Sequence, residues 1–156
     1  MEQEFYTVRG YEILNKRKKG LSPSMEDYLE MIYKCCLNEG YTRISNLAEL
    51  LNVKASSASK IVKKLSDADY INYEKYSIIR LTDKGRNIGE FLMKRHKTLE
   101  TFLKSLGVID NLLLDTELIE HHLSMETLNI IEIFNAFCAD NPDIIERLHE
   151  YQTSHS

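Results

Sequence analysis

The chain has 156 residues, of which 43% are hydrophobic and 28% are charged, a composition typical of one or two small globular domains. Its N-terminus lacks the charged-then-apolar order of a signal peptide, and no run approaches the roughly 18 apolar residues of a membrane span, so we expect a cytoplasmic protein with no membrane partner. The formal net charge of −4 combines +4 over residues 1–96 with −8 over residues 97–156, which favours a polyanionic partner for the first part.

The chain begins with a basic extension, followed by a strongly marked helix. Residues 1–22 contain the run Lys16-Arg17-Lys18-Lys19 and lead into the helix breakers of Ser22-Pro23-Ser24. The pattern predicts a helix over residues 25–37, with Ser24 as its N-cap and Gly40 beyond its end. Cys35 and Cys36 in this helix and Cys138 near the other end of the chain form no CxxC pair, and we expect them to be reduced packing thiols.

Two short helices and a hairpin come next. A helix over residues 46–51 capped by Ser45, the turn 52–55 and a helix over residues 57–67 predict a helix-turn-helix. The runs INYEK and IIRLT are β-branched and aromatic, and the Tyr76-Ser77 pair between them predicts a β-hairpin. Residues 23–83 are therefore interpreted as a winged helix-turn-helix domain, in a protein that is mainly α-helical.

The rest of the chain has helical patterns only. Helices are predicted over residues 83–106, 110–123 and 125–139, the last capped by Ser124, and a short helix starts at Pro142. We assign residues 84–150 to an all-helical domain and expect residues 151–156 to be a disordered tail. The apolar positions after residue 110 are candidates for a dimer seam or for core packing within one subunit: Leu112, Leu113, Ile130, Ile133, Phe134 and Phe137.

The helix over residues 57–67 separates polar from apolar side chains. On a helical wheel its apolar positions fall together, so they are expected to bury and to leave the polar face outward. Lysines suit phosphates, and short hydroxyls at a helix start can approach base edges in a major groove. A merely solvated basic face is the alternative, but the neighbouring turn and hairpin favour binding of double-stranded DNA. The candidate DNA contacts are Ser56, Ser57, Lys60, Lys63 and Lys64 on the helix, Lys54 in the turn, and Lys75 and Arg80 on the hairpin.

The segment LDTELIEHHLS carries possible metal ligands. Glu117, Glu120 and His121 share one helix face, whereas His122 points elsewhere. Such a trio can supply several ligands to a metal, although a solvated Glu/His pair gives the same pattern.

Two further segments contain candidate ligands. Asp27 and Glu30 are neighbours on the first helix, where Asp27 could instead serve as a capping carboxylate. His96 lies on an apolar seam, where a histidine is commonly a core residue.

Taken together, the segments SMEDYLEMIY, SSASKIVKKL, YEKYSIIRLTDKG, KRH and TELIEHHLS resemble the diphtheria-toxin-repressor family of metal-dependent regulators. The resemblance covers about residues 22–140 and is greatest to the two-domain, manganese-sensing branch. It implies a homodimeric repressor that binds operator DNA of metal-uptake genes when metal is bound. It also implies a binuclear site, two Mn²⁺ per subunit, with ligands Asp27, Glu30, His96, Glu117, Glu120 and His121.

The ligand types bear on the choice of metal. Iron-sensing relatives resemble this pattern but have a methionine at the position of Asp27 and a cysteine at that of Glu117. Carboxylate oxygens with imidazole suit Mn²⁺, with Fe²⁺ as the alternative. Four carboxylates balance two divalent ions, whereas two like charges about 4 Å apart repel by roughly 4 kcal/mol at an effective dielectric of 20.

Other classes of protein fit less well. A di-metal carboxylate enzyme on a helical bundle would need two ExxH motifs, and only Glu146 with His149 forms one. Phosphate-loop, dinucleotide and nucleophile-elbow motifs are absent from the sequence, so we expect no enzyme and no small organic substrate. A winged-helix regulator with a non-metal effector is a second alternative.

Overall fold

The computed structural model describes residues 20–73 and 78–155, which form seven helices and three short strands. The residues group into two compact units, and the division falls between Leu92 and Met93, inside a long helix. In chain order the elements are α1 (Pro23–Glu39), β1 (Thr42–Arg43), α2 (Ile44–Leu50), α3 (Ala55–Asp67), β2 (Ile71–Tyr73), β3 (Ile78–Leu81), α4 (Asp83–Ser105), α5 (Leu112–Glu120), α6 (Met125–Asp140) and α7 (Pro142–Ser154).

Helix α1 begins two residues earlier than the sequence predicted. The Ser22 hydroxyl accepts a hydrogen bond from the backbone N–H of Met25 (3.3 Å), and Pro23 occupies the first helical position, where its missing N–H is harmless. The prediction that Ser24 caps this helix is therefore wrong. Gly40 ends the helix in a left-handed conformation (φ 76°), as predicted.

The second helix also starts earlier than predicted. Arg43, not Ser45, is its N-cap residue, and Ser45 is the second helical residue, so the prediction of a Ser45 cap is wrong. Thr42 and Arg43 form strand β1, which the sequence did not predict, and Thr42 accepts a hydrogen bond from the Asn46 side chain (3.1 Å). The turn that follows contains Asn52 with a positive φ of 51°.

The three strands form one antiparallel sheet in the order β1-β3-β2, with Thr42 opposite Ile79 and Asn72 opposite Arg80. The sheet closes the core of the first unit because Ile71 and Ile79 are almost fully buried with residues from α1, α2 and α3. The hairpin tip, which includes Lys75, lies outside the described residues, as does most of the basic N-terminal extension. Helix-turn-helix and hairpin are both present, so the winged-helix prediction is confirmed.

The second unit is all helical. Ser124 caps α6 by accepting a hydrogen bond from the backbone of Thr127, as predicted. Helices α4 and α6 pack through an edge-to-face contact between Phe102 and Phe134, whose ring centroids are 5.5 Å apart. No helix among the described residues is long and apolar enough to cross a membrane.

Helix α7 is longer than the sequence indicated and extends to Ser154. The Gln152 side chain donates a hydrogen bond to the carbonyl of Leu106 (2.8 Å), and the ring of Tyr151 stacks on that of His155. These contacts order residues whose polar composition suggested disorder, so the prediction of a disordered tail is wrong for residues 151–154.

The three cysteines, all within the described ranges, are free. Cys36 and Cys138 are buried and Cys35 is partly buried, in agreement with the prediction of packing thiols. Burial raises the pKa of the Cys36 thiol, which keeps it protonated and unreactive near neutral pH.

Candidate metal centre and DNA-binding surface

A histidine and two glutamates meet in the second unit. His96 lies on α4, whereas Glu117 and Glu120 lie one turn apart on α5. The His96 Nδ1 atom is 2.9 Å from Glu120 Oε2 and 3.7 Å from Glu117 Oε1. The Glu120 carboxylate is 1% exposed. Burial of an ionised carboxylate is costly without charged or hydrogen-bonding partners, so this group needs the imidazole or a cation beside it.

His121 contacts the other side of the same carboxylate. It follows the last residue of α5, and its Nε2 atom is 3.7 Å from Glu120 Oε1. Its Nδ1 atom is 3.3 Å from Nη2 of Arg95, a residue of α4 that is 7% exposed. His122 is exposed and takes no part in this group, as its place on the helical wheel predicted.

The donor atoms of this group fit a divalent metal. Glu117, Glu120 and His121 each offer one ligand atom, and these atoms lie within 4.8 Å of one another. Carboxylate oxygens and imidazole nitrogens together suit Mn²⁺ and Fe²⁺, and the group contains no thiolate that would favour softer ions. The structure therefore brings together the four predicted ligands of the second unit, with His96 as the fourth.

The remaining two predicted ligands lie on α1 in the first unit. Glu30 is buried, and its carboxylate pairs with the Lys34 ammonium (2.6 Å) one turn along the helix. Asp27 is the fifth helical residue after the Ser22 cap. A capping box uses the third position, so the capping role considered for Asp27 does not apply.

The second possible metal motif has a different environment. The Nε2 atom of His149 on α7 lies 3.1 Å from the backbone carbonyl oxygen of Ser105, at the end of α4. A neutral histidine in this position donates its proton to the carbonyl and satisfies a helix-end acceptor. The hydrogen bond gives His149 a structural role in the packing of α7 against the end of α4.

Helix α3 presents the predicted basic face to solvent. Its apolar residues Ala58, Val62 and Leu65 are fully buried, and Ile61 is partly buried. The polar residues predicted to contact DNA are exposed: Lys54, Ser56, Ser57, Lys60, Lys63, Lys64 and Arg80. The Arg80 guanidinium lies 5.7 Å from the ring centroid of Tyr41, which orients it beside the sheet. The faces of α3 thus divide as the helical wheel predicted.

The second unit also exposes large apolar side chains. Exposed apolar side chains that form one patch are typical of a surface that another protein chain covers. Of the predicted seam residues, Phe134 contacts Phe102 within the unit, and Leu112 is partly buried. The other four are exposed: Leu113 (65%), Ile130 (60%), Ile133 (70%) and Phe137 (49%).

Sequence reasoning did not single out Arg95. The spacing of its neighbours places Arg95 on a buried helix face, because Leu92, Arg95 and Leu99 occur at i, i+3 and i+7 and all three are buried. A charged residue in an apolar helical stripe indicates a buried polar partner. Here one polar partner is the predicted ligand His121.

Comparison with known proteins agrees with this architecture. The family model "Iron dependent repressor, N-terminal DNA binding domain" matches residues 20–79, and "Iron dependent repressor, metal binding and dimerisation domain" matches residues 82–149. The HTH-type transcriptional regulator MntR of Lysinibacillus sphaericus is 43% identical over 136 residues, covering 86% of this chain and 98% of the relative. The MntR of Oceanobacillus iheyensis is 48% identical over 122 residues, covering 77% of this chain and 83% of the relative.

Solved structures show the same fold. The manganese regulator SloR is 29% identical with a TM-score of 0.65, covering 73% of this chain and 54% of that one. A manganese-dependent transcriptional repressor in complex with manganese is 30% identical with a TM-score of 0.61, covering 72% of this chain and 52% of that one. The chain spans about half the length of these two structures. The two domain matches and the curated relatives confirm the resemblance noted in the sequence, and the chain belongs to the iron-dependent, or diphtheria-toxin-repressor, family of DNA-binding transcriptional regulators.

Proposed function

We propose that this protein is a transcriptional repressor that binds operator DNA when Mn²⁺ occupies its carboxylate and histidine site. The observation that carries the proposal is the buried Glu120 carboxylate between two histidines, with Glu117 beside one of them. A buried carboxylate with imidazole neighbours forms a favourable binding site for a cation. The proposal makes the chain a regulator and not an enzyme.

The full site would use six ligands from three helices. Asp27 and Glu30 would come from α1, His96 from α4, and Glu117, Glu120 and His121 from α5 and its end. Bound metal would supply positive charge that offsets the negative charge of the four carboxylates. We propose that two divalent ions bind per subunit. Glu30 would exchange its Lys34 partner for a metal, which is feasible because the Lys34 side chain is 45% exposed and can move into solvent.

The choice of Mn²⁺ rests on the ligands and on the relatives. Oxygen and nitrogen donors suit Mn²⁺, and Mn²⁺ is low in the affinity order, so selection would depend on geometry and availability. Two curated relatives are called MntR, and one similar structure is a manganese-dependent repressor with manganese bound. An iron-responsive regulator of the same family is the alternative.

DNA binding would use α3 in the major groove. Ser56 and Ser57 lie in the first turn of this helix and would approach base edges, while Lys60, Lys63 and Lys64 would contact phosphates. Lys54 and Arg80 would add backbone contacts. We also assign a phosphate contact to Lys75, which lies outside the described residues.

The active form would be a homodimer. The exposed apolar residues of the second unit, with Ile133 as the most exposed of the six predicted seam residues, would be covered by a second copy of the chain. A dimer presents two recognition helices to half-sites about 34 Å apart, one turn of DNA. Such a regulator would act in the cytoplasm on the operators of metal-uptake genes.

The test of the metal site is Mn²⁺ binding by the Glu120→Gln variant. Glutamine keeps the shape of the side chain but removes the charge that two histidines face, so we expect Mn²⁺ affinity to fall at least tenfold in isothermal titration calorimetry. Glu150→Gln, at an exposed position of α7, is the matched control and should bind as the wild type does. Wild-type affinity in a folded Glu120→Gln protein would overturn the assignment.

A further inference from the structure

Arg95 and His121 form a contact that carries a further inference, which rests on the proposed function because it takes His121 as a metal ligand. The Arg95 Nη2 atom lies 3.3 Å from His121 Nδ1. A guanidinium has donors only and stays charged in proteins. In this contact the Nδ1 atom must therefore accept, and the proton of the neutral imidazole lies on Nε2.

This arrangement leaves neither imidazole nitrogen available to a metal. The Nδ1 lone pair is engaged by Arg95, and the Nε2 atom carries the proton and faces Glu120 Oε1 at 3.7 Å. A metal ligand must offer a deprotonated nitrogen. His121 can bind through Nδ1 only if Arg95 leaves that atom.

Binding through Nε2 leads to the same result. The proton on Nε2 must go to solvent, and Nδ1 must take one proton from solvent, so the ring stays neutral and no net proton is exchanged. The Nδ1 atom is then a donor that faces the donors of Arg95. Two donors cannot share a hydrogen bond, so the Arg95 contact breaks with either nitrogen.

We propose that Arg95 is a built-in competitor of the metal, which occupies the Nδ1 lone pair of His121 while Nε2 carries the proton, and which is released when His121 becomes a ligand. Arg95 is suited to this role because it is buried, at 7% exposure, with its guanidinium against His121. It thereby stabilises the metal-free site and sets a threshold for metal binding. Its release changes the contacts of α4, the helix that also carries His96.

The direct test is the tautomer of His121, read from long-range ¹H–¹⁵N correlation spectra of the full-length protein. Without metal, we expect the Nε2–H tautomer. On addition of Cd²⁺, a diamagnetic ion that accepts oxygen and nitrogen ligands, we expect a metal-bound nitrogen. An Nδ1–H tautomer without metal, or the absence of a metal-bound His121 nitrogen at saturating Cd²⁺, would overturn the proposal.

A second test uses Mn²⁺ affinity measured by calorimetry. Arg95→Gln removes the charge, and its amide can either donate to or accept from Nδ1, so affinity should rise on the order of tenfold. Arg95→Lys keeps a cation that only donates and should stay closer to the wild type. Lys97→Gln, which removes an exposed charge two residues away, is the control for charge alone and should change affinity less than about twofold.

The outcomes distinguish this inference from the proposed function. Absence of Mn²⁺ binding by the wild type would remove the proposed function. Binding that Glu120→Gln abolishes, with weaker or unchanged affinity in folded Arg95→Gln, would leave the metal site in place and reject competition by Arg95. Thermal melting by circular dichroism establishes that each variant is folded.

Discussion

Glu120 shows how one residue combines the properties of the proposed site. Its carboxylate is almost fully buried, contacts His96 at 2.9 Å and lies 3.7 Å from His121. Leaving a buried carboxylate without a nearby positive charge costs several kcal/mol. We infer that the protein tolerates this residue because a cation is bound there in the active state.

Asp27 is the residue at which metal choice is tested. The family resemblance implies methionine at this position in iron-sensing members, and Asp27→Met replaces a hard oxygen with a soft sulfur. Activation is measured as operator binding by fluorescence anisotropy. We expect the ratio of activation by Fe²⁺ or Co²⁺ to activation by Mn²⁺ to be higher in the variant than in the wild type. Asp140→Met, at an exposed position of α6, is the control. An unchanged ratio of activation in Asp27→Met would count against the role of Asp27.

The sequence predicted the grouping of the proposed ligands better than their surroundings. The positions of Glu117, Glu120 and His121 follow from helical spacing, which a wheel captures. Arg95 was missed because its role depends on a contact with a residue 26 positions away. Helical spacing reports which residues share a face but not which face of another helix they meet.

At the scale of elements, α3 is the proposed DNA-reading helix. Lys60 is exposed and lies on the face opposite Val62 and Leu65. We expect Lys60→Ala to weaken operator binding without altering fold, and to lower the slope of log affinity against log salt by about 1, because one phosphate contact is lost. Lys97→Ala in the second unit should leave the slope unchanged. The same slope in Lys60→Ala and the wild type would exclude a phosphate contact at this lysine.

The packing of α4 against α1 depends on a glycine. A Cβ atom added at Gly89 would lie 2.6 Å from Tyr33 Cβ, which is too close for two carbons. Glycine to alanine usually stabilises a helix by about 1 kcal/mol, but here we expect Gly89→Ala to reduce the free energy of unfolding by about 1–3 kcal/mol. Urea unfolding provides the measurement.

Gly20→Ala is the control for this substitution because a Cβ there has no neighbour within 4 Å. Its free energy of unfolding should stay within about 0.5 kcal/mol of the wild type. Equal stabilities of the Gly89→Ala, Gly20→Ala and wild-type proteins would contradict the packing of α1 on α4.

Element types were more predictable than element ends. Every helix predicted within the described residues is present because its apolar periodicity is strong. Two caps were misplaced, since Pro23 and the extended backbone of Ser22 favour an earlier start to α1 than Ser24 alone suggested. Strand β1 was missed because it has two residues and exists through its pairing with β3, nearly 40 residues away.

At the scale of the whole molecule, the charge asymmetry matches the two domain assignments. The mildly basic part, residues 1–96, contains the matched DNA-binding domain, and the acidic part, residues 97–156, contains most of the matched metal-binding and dimerisation domain. We propose that ligands from both parts bind the same metal ions and thereby couple metal binding to DNA binding. The coupling must be reciprocal, so operator DNA would tighten metal binding by the factor by which metal tightens DNA binding.

Operator binding by the wild-type protein with and without Mn²⁺, in chelator-treated buffer at fixed salt, measures whether metal controls DNA binding. We expect Mn²⁺ to increase affinity for operator DNA by about 5- to 150-fold, the range typical of allosteric coupling, and to do so less effectively in Glu120→Gln. Operator affinity that is the same with and without Mn²⁺ would show that metal does not control DNA binding by this protein.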